Sequence, residues 1–306
     1  VGVPHPPEAR VDRKTAQTVV IVAALLAVAA VIYYLSNRPA TDEADESIHL
    51  ALGNPSGATT DPANANNFLM RKPYFALSYN NGNGTPNWVS WRLVREDLGS
   101  AARGQFFPDD ELPHGFLRVT PNDYTGTGFD RGHMCPRSDR SATSESANAT
   151  FVMTNIVPQA PHLNQKAWND LEDYCRTLVR TKRQTLYIAA GPQGRGGEGS
   201  KGRAETIRRG VVVPEKCWKV IAALDDGGRD DDAARVTSST RVIAVVMPNE
   251  QSVGHGWAKY RVSVKEVETL TGYTFFDRVP KDVAGPLKEK VDDQHIPPPR
   301  PPRTGD

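Results

Sequence analysis

Short apolar runs, separated by clusters of Gly, Asn, Asp and Pro, dominate the pattern along the chain and predict strands more often than helices. Residues 73–79 (PYFALSY) and 87–94 (NWVSWRLV) flank an Asn-Asn-Gly-Asn-Gly turn, which suits a hairpin. Residues 149–157 (ATFVMTNIV) predict a strand leading into Pro158, and buried strands are expected at 185–190, 218–224 and 241–247. From Asn164 the period changes. Trp168, Leu171, Cys175, Leu178 and Val179 fall on one stripe at helical spacing. Ser263 and Glu266 form a capping box for a last helix that ends at Gly272. Strands and helices do not alternate regularly, so an α+β fold is favoured over a doubly wound sheet.

The two ends of the chain differ from its middle. Residues 18–35 (TVVIVAALLAVAAVIYYL) carry no charge. As a helix they would span roughly 27 Å, close to the ~30 Å hydrocarbon core of a bilayer. Arg10, Arg13 and Lys14 precede the run, Tyr33 and Tyr34 close it, and Asp42, Glu43, Asp45 and Glu46 follow. This reads as one transmembrane helix with residues 1–17 in the cytoplasm and the rest extracytoplasmic, on the periplasmic or extracellular side or in a mitochondrial intermembrane space. A signal peptide cleaved near Ala27-Val28-Ala29, leaving a secreted protein, is the alternative. Residues 36–67 are rich in Ala, Asn, Asp, Pro and Gly and read as a flexible linker, with the folded domain at 68–290. The proline-rich stretch 291–306 reads as a disordered tail, and the acidic run 225–232 as a solvated loop.

Composition adds less. Of 306 residues, 38% are hydrophobic and 24% charged, which permits an ordinary core. The net charge of +1 means that attraction for phosphates must come from local clusters. Basic residues suited to a nucleic-acid channel are Arg137, Arg140, Arg180, Lys182, Arg183, Arg195, Lys201, Arg203, Arg208 and Arg209, although a solvated surface explains most of them individually. Three cysteines, Cys135, Cys175 and Cys217, lack metal-type spacing; they permit one bridge plus a free thiol without requiring it.

Two segments carry candidate chemistry. In the first, Asp130-Arg131-Gly132-His133 follows glycines at 126 and 128. Histidine titrates nearest neutral pH and suits general-base work, and the nearby arginine offers a planar cation to phosphate. Alone, this run also fits a surface loop. In the second, Asn164, Trp168, Glu172 and Arg176 recur every four residues along one side of the helix. Asn164 and Glu172 would lie roughly 12 Å apart along its axis. Asn164 also fits a helix N-cap, and Glu172 with Arg176 an ordinary surface pair.

Together, the run DRGH, then TNIVPQ, then LNQ-x-x-W-x-x-LE-x-x-x-R resembles the DNA/RNA non-specific endonucleases of the endonuclease G type, from about Phe68 to Pro286. That resemblance implies a ββα-metal nuclease fold with a mixed or antiparallel central sheet flanked by helices. It implies hydrolysis of DNA and RNA phosphodiesters with little regard to sequence, leaving 5′-phosphates, and frequently a homodimer. By position, His133 matches the family's general base and Asn164 its single protein ligand for Mg²⁺, with Mn²⁺ as a substitute. Glu172 matches the carboxylate that holds metal-bound water, and Asn155 the asparagine of the strand beside the site. Arg131 and Arg176 match the motif and helix arginines. Arg103 falls where the family places an upstream phosphate-binding arginine, across a loop of variable length. Cys135 reads as packing rather than as a nucleophile, and His162 as a loop histidine. A degenerate family member that binds nucleic acid without cutting, and a phosphodiesterase for small nucleotides, are the competing readings.

Overall fold

The computed structural model describes residues 47–225 and 232–296. The apolar run 18–35 with its flanks 1–17 and 36–46, the loop 226–231 and the tail 297–306 lie outside the described residues. Among the described residues no helix is long and apolar enough to cross a membrane.

The hairpin expected around residues 80–84 is present. Strands β1 (Phe68–Lys72), β2 (Phe75–Asn80) and β3 (Thr85–Leu93) form a meander. Strands β4 (Asp130–His133) and β5 (Ile156–Gln159) pair separately as a small ribbon. Strand β6 (Thr185–Gln193), a minor hairpin of β7 (Gly197–Gly199) and β8 (Gly202–Ala204), then β9 (Lys216–Leu224), β10 (Arg241–Pro248) and β11 (Arg261–Val262) complete the strands. The central sheet has seven strands in the order β1-β2-β3-β6-β9-β10-β11, and every neighbouring pair is antiparallel. Helices α1 (Ser144–Ala149), α2 (Asn169–Lys182), α3 (Val264–Thr271) and α4 (Lys281–Glu289) flank it.

Alternation along the strands sends neighbouring residues to opposite faces. Trp91, Ile188, Ile221 and Val245 face one core, which Trp168, Leu171, Cys175 and Leu178 of the α2 region close. Trp88, Ala189, Val220 and Ala244 face a second core, covered by Val264 and Val267 of α3 and Leu287 of α4. A third, smaller cluster of Val119, Tyr124, Phe129, Met153 and Ile156 lies beneath the loop before β4. The capping box holds: Ser263 N donates to Glu266 at 2.7 Å, and Gly272 ends α3 in the left-handed conformation. All three cysteines are buried and free.

Several expectations need correction. The linker reading of 36–67 fails in its described part, because Leu50, Leu52 and Ala58 are buried in the second core. The Trp88 indole also donates to Ser56 at 2.8 Å. Residues 149–157 are not one strand. Thr150 and Asn155 side chains claim backbone groups and turn the chain, leaving only Ile156–Gln159 extended. The helix ending at Gly272 is not the last, since α4 follows. The tail is anchored as far as Ile296: Asp292 pairs with Arg241 at 2.8 Å and Arg261 at 3.2 Å, and Ile296 packs on the first core. Asp232, expected in a solvated loop, is buried against Tyr187 and Arg235.

His49 shows what holds the N-terminal segment. Its Nδ1 accepts from Arg92 N at 3.3 Å, so Nε2 donates to Pro73 O at 3.2 Å. Burial, then the Arg140 charge, pushes its pKa from 6.5 down to about 4. The unfolded chain therefore binds the extra proton first, and stability is lost as pH falls from about 6.5 towards 4. Urea denaturation at pH 5 should report about 2 kcal/mol less stability from this residue than at pH 7.5. A His49→Asn variant should show a flatter pH dependence.

Candidate active site

The ribbon β4–β5 and the helix after it form a ββα unit. Asp130, Arg131, Gly132 and His133 face Gln159, Pro158, Val157 and Ile156 in register. Gly132 is required by a close approach: a Cβ there would lie 2.0 Å from Oε1 of the fully buried Gln159. After β5 the chain makes a helical turn (Pro161–Leu163), then a π-helical turn (Asn164–Trp168), and enters α2. Such π-turns recur at functional sites in helices.

His133 ends β4 between two aromatic rings. Its ring centre is 5.3 Å from Phe106 and 4.9 Å from Phe151. Its Nε2 is buried, and neither ring nitrogen has a hydrogen-bond partner among the described residues. Orientation therefore comes from packing. Burial, then the charges of Arg103 and Arg137, pushes the imidazole down to about 3, so the neutral form is populated at any working pH. The arginines stack on the outer walls of the cage. Arg103 is exposed and lies 5.8 Å from the Phe151 ring centre, and Arg131 lies 5.4 Å from that of Phe106. Arg131 also donates from Nε and Nη2 to Pro121 O at 3.1 and 2.7 Å, leaving Nη1 without a protein partner among the described residues.

Asn164 is tied to the same strand. Its Nδ2 donates to Asp130 Oδ2 at 2.8 Å, and Gln165 donates to the same oxygen at 2.8 Å. With the amide nitrogen held by Asp130, the amide oxygen has no partner among the described residues and is free to ligate. Among the described residues no group of three or more His, Cys, Asp or Glu side chains is placed to hold a metal ion. One amide oxygen beside the Asp130 carboxylate suits a hard cation that keeps most of its waters.

Glu172 and Arg176 lie deeper than expected. Arg176 is 4% exposed and its guanidinium is consumed: it donates to Asp139 at 2.8 Å and Asp173 at 2.7 Å. It is therefore a brace rather than an open phosphate cation. It also stands 4.0 Å from Glu172, whose other oxygen is 3.7 Å from Lys219 Nζ. Burial pushes the Glu172 carboxyl up to about 7 against the pull of Lys219 and Arg176. Asn155 is also a brace. Fully buried, it accepts from Cys135 N at 2.9 Å and donates to Cys135 O and Thr150 O at 2.8 Å each. It fixes the backbone just past His133 and has no donor left for substrate. Arg140, named for a channel, is 1% exposed and bonded to Tyr74 O, Arg92 O and Asp97. His162, read as a loop histidine, lies instead on the helical turn Pro161–Leu163, where it is exposed and pairs with Gln251.

Three contributors escaped the sequence reading. Asp130 orients Asn164, and its only signal was its place at the head of the motif. Lys219 is 1% exposed, 4.1 Å from the Trp168 ring centre, and a lysine inside an apolar strand was the available signal. The cage of Phe106 and Phe151 had none, because both lie in irregular segments.

Comparison with known proteins identifies the family. Residues 52–282 match the DNA/RNA non-specific endonuclease family. A protein named Nuclease from Nostoc sp. is 47% identical over 247 residues, covering 80% of this chain and 86% of its own. Mitochondrial endonuclease G of Homo sapiens is 29% identical over 218 residues, covering 69% and 70%. The crystal structure of an EndoG/EndoGI complex superposes with a TM-score of 0.62 at 26% identity, covering 77% of this chain and 92% of that one. The ribbon with its histidine, the asparagine at the helix start and the match over residues 52–282 converge: the chain belongs to the DNA/RNA non-specific endonuclease family and is a nuclease.

Proposed function

We propose that this nuclease is a metal-dependent, sugar-non-specific endonuclease, with His133 as general base and Asn164 as the protein ligand for Mg²⁺, for which Mn²⁺ substitutes. The observation that carries the reading is the pairing of an unpartnered, neutral His133 with an Asn164 whose amide nitrogen is held by Asp130 of the same strand.

His133 accepts the proton of the attacking water as the new P–O bond forms. The approaching phosphate is an anion, which raises the imidazole's affinity for that proton just when it is needed. Arg103 and the free Nη1 of Arg131 place positive charge against the phosphoryl oxygens. Asp130 keeps the Asn164 amide oxygen turned outward. Glu172, when ionised, would hold by hydrogen bonds the water that such a cation keeps. Bound there, Mg²⁺ would stabilise charge on the phosphoryl and leaving oxygens. The departing oxygen is the sugar 3′-oxygen, so the cut leaves a 5′-phosphate. Phosphate contacts of this kind read neither the base nor the sugar 2′-position, which fits action on both DNA and RNA. The uncharged run 18–35, with basic residues before it and acidic residues after it, supports an anchor that holds the nuclease on the extracytoplasmic side.

Digestion of plasmid and of RNA in Mg²⁺, with and without EDTA, tests this reading. Both substrates should be cut, and chelation should stop both; cleavage that survives EDTA overturns the metal assignment. The pH profile adds a second check. Glu172 is neutral below about 7 and His133 is neutral above about 3, so kcat/KM should climb through pH 7 as Glu172 ionises. A flat profile from pH 5 to 8 would remove Glu172 from the mechanism.

A further inference from the structure

An endonuclease cuts inside a strand, so its substrate continues past the scissile phosphate. The loop preceding β4 shows where. Four cations from three separate segments set their head groups on its carbonyl oxygens. Arg209 donates to Arg118 O at 2.7 Å, Arg131 to Pro121 O at 2.7 Å, Arg208 to Asn122 O at 3.3 Å and Lys201 to Gly126 O at 2.8 Å. A carbonyl fixes a cation in place without cancelling its charge. Among the described residues, the one ion pair these four make is Arg209 with Asp123, at 3.7 Å.

Three of these side chains, Lys201, Arg208 and Arg209, are exposed. The backbone supports a purpose for the arrangement. Arg209 adopts φ 56° and ψ 19°, a left-handed conformation that a non-glycine residue holds at a cost. Such strain persists where the surroundings enforce it, commonly at binding sites. Mutual repulsion among four cations has the same meaning: the cluster is loaded for an anion. Arg131 joins it to the catalytic strand, two residues before His133. The basic residues Arg180 and Lys182, by contrast, sit near the far end of α2, about 24–27 Å along the helix axis from Asn164.

We propose that Lys201, Arg208 and Arg209, continuing from Arg131, bind the backbone phosphates of the nucleic-acid strand beyond the scissile bond, giving the enzyme its hold on polynucleotides over small diesters. This rests on the nuclease reading and adds the path of the substrate.

The test compares the full-length protein with Arg208→Glu/Arg209→Glu, the milder Arg208→Gln/Arg209→Gln, and a control, Arg180→Glu/Lys182→Glu. Three readouts are needed: plasmid cleavage, hydrolysis of bis(p-nitrophenyl) phosphate, and binding of a fluorescein-labelled DNA duplex in EDTA across a salt series. Losing two phosphate contacts should flatten the log–log salt slope of binding by about 2. Duplex affinity and plasmid kcat/KM should fall about tenfold or more with the Arg208/Arg209 variants and less than about twofold with the control. Hydrolysis of the small diester, which does not reach the loop, should stay within about twofold. An unchanged salt slope in both Arg208/Arg209 variants overturns the proposal. So does an equal loss on plasmid and small diester, which would mark the loop as support for the catalytic residues. Should the unmutated protein cut neither substrate, the nuclease reading fails, and the binding series still decides the surface.

Discussion

Replacing His133 by alanine is expected to lower plasmid and RNA cleavage by between about 10²- and 10⁴-fold, the usual contribution of a positioned general base. The loss should fall on kcat, because the cations proposed to meet the phosphate, Arg103 and Arg131, are left in place. Stability should change little, by about 1 kcal/mol, since the ring is only half-buried and makes no hydrogen bond among the described residues. Thermal melting alongside single-turnover rates separates the two effects. Wild-type cleavage by the variant would sink the assignment of His133. An equal fall in rate and melting temperature would instead make the ring a packing piece for Phe106 and Phe151.

The second large effect is expected at Asp139. This carboxylate is 1% exposed and accepts from Arg176 at 2.8 Å and from the Trp91 indole at 3.0 Å. It lies on the stretch that follows His133, so its ion pair ties that stretch to α2. Asp139→Ala leaves the Arg176 guanidinium short of its buried partner and the indole N–H unmatched. Removing one member of a buried pair costs about 3–5 kcal/mol, and urea denaturation should register a loss of that size. Asp139→Asn keeps an acceptor for one donor and sets its amide NH₂ against the other, so it should recover only part of that loss. Equal stability of the alanine variant and the wild type would mean that Arg176 finds its compensation in Asp173 and Glu172 alone.

Much of the fold was legible because its strands alternate or run apolar. Residues 185–190, 218–224 and 241–247 fall inside β6, β9 and β10. What was not legible depended on contacts distant in sequence. β1 ends in Arg71 and Lys72, and Lys72 is buried because Asp109 lies 2.9 Å and Glu111 3.0 Å away. α4 contains Gly285 and Pro286, which argue against a helix until Ala284 and Leu287 are seen in the second core. Residues 149–157 carry strand-forming side chains, yet Asn155 uses its amide on Cys135, twenty residues earlier, and the chain turns.

The candidate site divides in the same way. His133, Asn164 and Arg131 could be read because each stands in a motif. Their supports could not, because Asp130 reaches Asn164 across 34 residues and Lys219 reaches Glu172 from another strand. Arg176 illustrates the limit. Spacing put it on the face of Glu172, correctly, but only the position of Asp139 shows that its charge is spent inside the protein.

The three free cysteines have a consequence for how such an enzyme meets a change of redox conditions. Cys135, Cys175 and Cys217 sit in the first core on different elements, and none is bridged. The fold therefore owes nothing to oxidation. Reductant and mild oxidant should leave the stability of the folded domain alike.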